Sequence, residues 1–244
     1  MRLLSYNIHK GIGGHDRRYS LKRVIEVIEH ENPDLLLLQE VTHLFKRCGG
    51  DDQTSLLCEH FKACDSVYQQ NVRLKTGGYG NLLISRWPIV ERHSISLQLG
   101  KKKNRGAVIT VVDTPEGKLK LVNVHLGLAE KERHWQINHL LGHHLFRGIE
   151  GVPELIAGDF NDWRNTLAAK ELHAQGFTHV TGPPSRFRSF PAWFALGSLD
   201  KAFYRGDVRI KEARIISSAA AKRASDHRPL VIDFHLTDLA EPAK

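Results

Sequence analysis

Cysteine is scarce in this 244-residue chain: there are three, Cys48, Cys58 and Cys64, an odd number with no C-x-x-C pair. That excludes a zinc-finger spacing, argues against a disulfide framework and points to a reducing compartment. Long apolar runs are missing too. The longest aliphatic run is Leu35-Leu36-Leu37-Leu38, far short of the ~20 residues a membrane-spanning helix needs. The start of the chain, from Met1 to Asn7, lacks the apolar core of a signal peptide. A cytoplasmic location is the resulting expectation. Proline is sparse at nine residues, and no Gly/Ser/Pro-rich linker divides the chain. Neither an internal repeat nor a low-complexity segment stands out. These absences predict a single domain over residues 1–236 and a loose C-terminal tail over 237–244.

What is present is ordinary for a globular protein, with 41% hydrophobic and 25% charged residues. A domain of this length buries roughly 70–75% of the surface its unfolded chain exposes. It needs no covalent or metal staple to fold, and a monomer is expected. Lys and Arg number 35 against 27 Asp and Glu, a net charge of +8. A positive surface favours polyanions such as nucleic acid, phosphorylated metabolites or anionic lipid head groups, without choosing among them.

Short apolar runs of strand length dominate: Leu3–Ile8, Leu35–Leu38, Asn81–Ile84, Ala107–Val112, Leu119–Leu126, Glu154–Ala157, Val208–Ile216 and Leu230–Phe234. Asp113-Thr114-Pro115-Glu116-Gly117 between two of them is a turn signal that predicts a hairpin. Helical spacing predicts a helix from Leu21, capped by Ser20 and ending before Asn32-Pro33. Further helices are expected over Ser55–Cys64, Glu130–Arg147 and Asn165–Gln175. Interleaved strands and helices imply an α/β fold with mixed or antiparallel sheets.

Chemistry collects where these strands end. Leu3–Ile8 carries Asn7; Leu35–Leu38 runs into Gln39-Glu40; Leu119–Val124 runs into His125. Leu155-Ile156-Ala157 runs into Gly158-Asp159-Phe160-Asn161, Leu199 precedes Asp200, and Ser225-Asp226-His227-Arg228-Pro229 precedes Leu230. Polar groups at core edges are costly unless they satisfy one another or bind a cation. The oxygen-rich set, without thiolate, suits Mg²⁺ or Mn²⁺ better than zinc. Asp159 and Asn161, two apart, share one face if on a strand, while Gly-Asp and Asn-Asp also read as a turn. His139 and His143 stand four apart on an expected helix, but no third ligand accompanies them.

In this order the six units resemble the endonuclease/exonuclease/phosphatase superfamily, the DNase I-like and exonuclease III-like hydrolases, from Ser5 to about Leu236. Gly158-Asp159-Phe160-Asn161 and Ser225–Pro229 carry most of the likeness, and Asn7-Ile8-His9-Lys10-Gly11 is similar to a small bacterial branch. The resemblance implies a four-layer α/β/β/α sandwich, two packed mixed β-sheets flanked by helices, with the site at one end of the sheets. It implies a Mg²⁺-dependent phosphoester hydrolase, with Mn²⁺ able to substitute, held by Asn7, Glu40 and Asp226. His125, Asp159, Asn161 and the Asp200–His227 pair are the implied catalytic groups. Asp200 would fix the imidazole, His227 would act as base or stabilise charge, and His125 would contact phosphate or protonate the leaving oxygen. Asn81, Arg105, Arg186 and Arg188 are the expected substrate contacts. A phosphodiester substrate is expected, with nucleic acid favoured because of the basic balance; the alternative is a phosphodiesterase or phosphatase acting on a lipid or sugar head group, since the branch is also similar to the hydrolase-like domain of lipid-remodelling proteins that act on glycolipid anchors. A binding module that has kept the fold without catalysis is the non-enzymatic alternative. Two loops, His15–Tyr19 and Arg186–Phe194, are the candidates for substrate selection.

Overall fold

The Leu35–Leu38 run has no polar face because both of its faces are covered. The structure, a computed structural model, describes residues 1–237; the rest of the expected tail, 238–244, lies outside the described residues. In chain order the main elements are β1 (Arg2–Asn7), α1 (Leu21–Glu31), β2 (Leu35–His43), α2 (Gln53–His60), β3 (Asp65–Arg73), β4 (Gly78–Ser85), β5 (Ile89–Ser96), β6 (Gly106–Thr114), β7 (Gly117–His125), α3 (Glu130–Gly142) and α4 (His144–Arg147). The second part adds β8 (Glu154–Asp159), β9 (Thr178–His179), β10 (Asp200–Arg205), β11 (Val208–Ile215), α5 (Ala219–Ala224) and β12 (Leu230–Leu236). They form two six-stranded sheets, ordered β11-β12-β1-β2-β4-β3 and β5-β6-β7-β8-β10-β9.

Period-2 alternation sorts the core into three apolar layers. Leu3, Leu35 and Leu37 face Val108, Leu121, Leu155 and Ala157 of the other sheet. Leu4, Leu36 and Leu38 point outward onto α1, α2 and α5 through Val24, Ile28, Leu57 and Ala221. Val122, Val124 and Ile156 point outward onto Ile137, Leu140 and Phe146 of α3 and α4. Two packed mixed sheets flanked by helices are therefore the architecture, as the family resemblance implied. No helix among the described residues is long and apolar enough to cross a membrane.

Each sheet holds one parallel pair, β1–β2 and β7–β8, joined by a helical crossover. Parallel neighbours end together, so Asn7 pairs in register with Gln39, and His125 with Asp159. Antiparallel β10 starts opposite the end of β8, with Asp200 beside Asp159. One end of the sandwich thereby gathers residues far apart in sequence. Gly158 lets β7 and β8 approach: a Cβ there would lie 1.9 Å from the Val124 carbonyl oxygen.

Some boundaries differ from the sequence reading. The expected helix over Glu130–Arg147 breaks at His143, which is extended (φ −72°, ψ 137°), and His143 accepts a bond from the Leu145 N–H. Ser20 makes no side-chain cap bond on α1, whereas Asp52 caps α2. A π-helical segment, Ala168–Leu172, lies within the helix expected over Asn165–Gln175. The hairpin at Asp113–Gly117 joins β6 to β7.

Between the sheets Asn123 crosslinks three strands. Its Nδ2 donates to the carbonyls of Leu38 and Leu82 at 3.0 Å each, and its Oδ1 accepts from Gln39 Nε2 at 2.8 Å. Asn123→Ala takes a partner from the Leu38 and Leu82 carbonyls and from one N–H of Gln39, whose Nε2 keeps the Leu37 carbonyl; each buried group left unpaired costs roughly 1–3 kcal/mol. Urea unfolding is expected to show a loss of about 3 kcal/mol or more; an unchanged midpoint would mean water replaces the amide.

Candidate active site

The site is built on strand ends, and its centre is one oxygen. Asp159 Oδ2 is faced by Asn7 Nδ2 at 3.0 Å, His125 Nε2 at 3.4 Å and His227 Nε2 at 3.6 Å. These three partners come from β1, β7 and the segment before β12. Asp159 Oδ1 accepts the Asn161 N–H at 3.0 Å. Asn161 has left the strand and is left-handed (φ 50°). The turn, not the pleat, therefore brings Asp159 and Asn161 together, and Asn161 Nδ2 is anchored on the Leu126 carbonyl at 2.9 Å.

His227 lies between two carboxylates. Its Nδ1–H donates to Asp200 Oδ2 at 2.8 Å, and its Nε2 looks towards Asp159. Burial opposes its charge, but Asp200 and Asp159 outweigh burial and raise its pKa to about 10. Asp159 moves the other way from a surface carboxylate. Burial, with Asp200 nearby, raises it well above the ordinary range although His227 opposes the rise.

His125 is the contrast. Burial and the neighbouring charges of Arg105, His227, Lys103 and Lys10 push its pKa well down, so it is neutral near pH 7. Arg105 Nη1 lies 3.2 Å from His125 Nδ1. A guanidinium only donates, so the single ring proton of His125 is on Nε2, facing Asp159. His125 is thus placed as a neutral hydrogen-bond donor, not as the acid expected for the leaving oxygen. An imidazole NMR titration checks the pair. His227 is expected to be still protonated at pH 8, while His125 stays neutral at pH values where an ordinary histidine has gained its proton. Both rings titrating together near 6.5 would refute the assignment.

The carboxylates expected to hold metal sit on the other side of Asn7. A bulge between Leu38 and Val41 interrupts the β2–β4 register, and Glu40 within it is left-handed (φ 56°). The bulge re-aims Glu40 out of the ladder. His9, Lys10 and Gly11 are left-handed in succession, at φ 46°, 63° and 72°. That turn places Lys10 Nζ on Glu40 Oε2 and His9 Nδ1 3.7 Å from Asp226 Oδ1. Burial opposes ionisation of Glu40, but Lys10, His9 and Lys103 prevail and lower its pKa. Glu40 is thereby faced by the Lys10 ammonium, and Asp226 by the His9 imidazole. Among the described residues no group of three His, Cys, Asp or Glu closes round a point. A protein cage is thus absent there, but one or two carboxylates with water are what a Mg²⁺ site commonly uses. The oxygen donors, with Lys10 standing as a cation on Glu40, fit such an ion. Asn7 turns its amide nitrogen to Asp159 and its oxygen to the His9 N–H at 3.0 Å.

The expected substrate contacts divide. Arg105 is buried at the site, and its Nε has no partner among the described residues. Asn81 is fully buried, and its Nδ2 ties β4 to the Gly106 carbonyl of β6 at 2.9 Å. It is a bridge between sheets rather than an open wall of the cleft. Arg186 and Arg188 are exposed on the loop before β10, outside the Asp159 cluster. The His15–Tyr19 loop does lie over the site: a Cβ on neighbouring Gly14 would meet Asp226 Cα at 2.6 Å. His139 stacks on Trp135 at 4.7 Å on the flank of α3. Lys10 was not among the expected site residues, although Asn7–Gly11 marked its segment; its cue is a cation immediately before Gly11, the last residue of the left-handed turn.

This sandwich and its strand-end cluster define a phosphoester hydrolase fold. A model of the endonuclease/exonuclease/phosphatase family matches residues 4–227, and the chain belongs to that family, whose members are hydrolases acting on phosphoester bonds. It is 29% identical over 248 residues to the Escherichia coli protein YbhP, covering 96% of each chain. Its fold is similar to that of an endonuclease/exonuclease/phosphatase from Beutenbergia cavernae (TM-score 0.83, 21% identity, 97% of this chain and 71% of that one). It is also similar to a mannosyl-6-phosphatase from Bacteroides thetaiotaomicron (TM-score 0.74, 16% identity, 96% and 99%).

Proposed function

We propose that the chain is a divalent-cation-dependent phosphoester hydrolase, most simply a phosphodiesterase, that uses water as the nucleophile. The observation that carries this is the convergence of Asn7, His125 and His227 on Asp159 Oδ2. In this reading Asp159, whose proton affinity is raised by burial, accepts the proton of the attacking water. Asn7 and Asn161 hold that carboxylate in place. His227, kept protonated by Asp200, stabilises the charge developing on phosphorus-bound oxygens, which favours this role over that of base. Arg105 and the Nε2–H of His125 donate to the same oxygens, and the unpartnered Arg105 Nε gains an acceptor. Glu40 and Asp226, with the Asn7 oxygen, would hold Mg²⁺ or Mn²⁺, which when bound neutralises phosphate charge. Lys10 then has to leave Glu40, and its ammonium is free for the phosphate. No serine or cysteine nucleophile is required.

The +8 charge leans towards nucleic acid, whereas the side chains exposed around the site lean towards lipid. A second copy and a cytoplasmic location have no bearing on this chemistry. The direct test is turnover of bis(p-nitrophenyl) phosphate with Mg²⁺ or Mn²⁺ and with EDTA, alongside Mn²⁺ titration calorimetry. Glu40→Gln is expected to keep the fold, weaken Mn²⁺ binding at least tenfold and lose most turnover. Unchanged Mn²⁺ affinity would remove Glu40 from the metal side, and EDTA-insensitive turnover would remove the metal.

A further inference from the structure

Ten large hydrophobic side chains are exposed among the described residues, and their distribution is lopsided. Leu128 is 73% exposed, Phe194 68%, Leu196 57%, Trp163 49% and Trp193 46%. All five stand on loops that leave the strand ends carrying the site. Leu128 follows His125, and Trp163 follows Asn161 by two residues. The other three form the tip of one loop. That loop is pinched at its base by the Phe190–Gly197 bridge, and the Ala192 N–H donates to the Asp226 carbonyl at 2.7 Å. Its base packs directly on the site: Phe190 lies 4.9 Å from the His227 ring, with Trp163 edge-on to Phe190 at 5.8 Å. Leu44 and Leu74, also exposed, stand at the same end. The loop's other half behaves differently, because Phe187 is buried in the inter-sheet core.

Cations share this face. Arg17, Lys75, Lys101, Arg186 and Arg188 are exposed on loops at the same end. Single exposed hydrophobics are normal, but a cluster on one face marks a contact surface. Two kinds of polyanion would meet both the charge and the aromatics. Bases of a single strand stack on aromatic rings. Leucines have no face to stack, yet Leu128 is the most exposed of the five and Leu196 sits at the loop tip. Aliphatic and aromatic side chains set among Lys and Arg suit the boundary of an anionic bilayer, where apolar groups enter the acyl region and cations meet head groups.

We propose that the loops round the site dock the enzyme on an anionic lipid surface, so that its substrate is a phosphoester presented at that interface. This rests on the hydrolase reading for the chemistry but not for the docking. The test is flotation with phosphatidylcholine vesicles, with and without phosphatidylglycerol, in EDTA so that nothing is hydrolysed. The wild type is expected to float with the anionic vesicles, and less so as salt rises. The triple variant Leu74→Ser, Leu128→Ser, Leu196→Ser is expected to lose at least tenfold in partitioning while turning over soluble bis(p-nitrophenyl) phosphate within twofold of wild type. Lys75→Glu with Lys101→Glu is expected to weaken flotation on anionic vesicles alone. Wild type that stays off anionic vesicles, or a triple variant that floats as well as wild type, would overturn the docking. So would preferential binding of a single-stranded oligonucleotide that the same triple variant loses, which would assign the face to nucleic acid. Flotation without turnover of the soluble diester would sustain the docking and break the hydrolase reading instead.

Discussion

Asp159→Asn is expected to cut turnover of a soluble phosphodiester by roughly 10²–10⁴-fold, the range of a lost proton-transfer group, at a small net change in stability. Burial raises the pKa of Asp159 in the folded chain, so its ionised form is disfavoured there relative to the unfolded chain. Above the ordinary carboxylate range that ionised form costs stability, and a neutral amide of the same shape removes the cost. Against that gain, the Asn7 Nδ2 and Asn161 N–H bonds fall on different oxygens of Asp159, so Asn with its single oxygen keeps only one of them, and His227 loses one of its two facing carboxylates. Thermal unfolding at neutral pH, beside steady-state kinetics, reads both. Wild-type turnover in the variant would make Asp159 a structural carboxylate; a large fall in stability would make it a clasp rather than a base.

Asp200→Asn is expected to cost a comparable factor, roughly 10²–10⁴ in turnover, with little change in KM, but with a clear loss of stability. His227 has a folded pKa near 10, above its unfolded value. The stabilisation from its charge is therefore fully present below about 6.5, the ordinary histidine value, and is lost as pH rises towards 10. Removing Asp200 lowers that upper limit and weakens the fold at neutral pH by about 2 kcal/mol, the scale of a charged hydrogen bond. Unfolding measured from pH 6 to 10 separates the cases. The wild-type curve is expected to decline across the whole window, and the variant to complete its decline earlier. Superimposable curves would mean that Asp200 does not hold the imidazolium.

Much of this site could be read from strand ends. Asn7, His125 and Asp159 each close an apolar run, Asp200 opens one, and strand register brings these ends together whatever the loops do. The runs gave an α/β fold, and the resemblance gave its four layers. Strands β3 and β5 were harder to read, because both lie at sheet edges and carry polar residues such as Gln69, Gln70, Glu91 and Arg92. An edge strand has one neighbour and needs no continuous apolar run. Asn81 is ambiguous for the converse reason: a polar residue in an apolar strand signals either a site or a crosslink, and its bond to the Gly106 carbonyl shows the crosslink. Lys10 was legible as a residue but not as a partner of Glu40. That contact needs three successive left-handed residues and a bulge, none of which periodicity encodes. The tautomer of His125 depends on Arg105, twenty residues away, and becomes assignable only with the guanidinium in place.

The claim that water attacks phosphorus at Asp159 is tested most directly by isotope transfer. Hydrolysis of bis(p-nitrophenyl) phosphate in ¹⁸O-water with Mn²⁺ is expected to yield p-nitrophenyl phosphate carrying one solvent oxygen on phosphorus, at a rate that Asp159→Asn suppresses. Product without solvent oxygen on phosphorus, or label that enters equally fast in the Asp159→Asn variant, would contradict it.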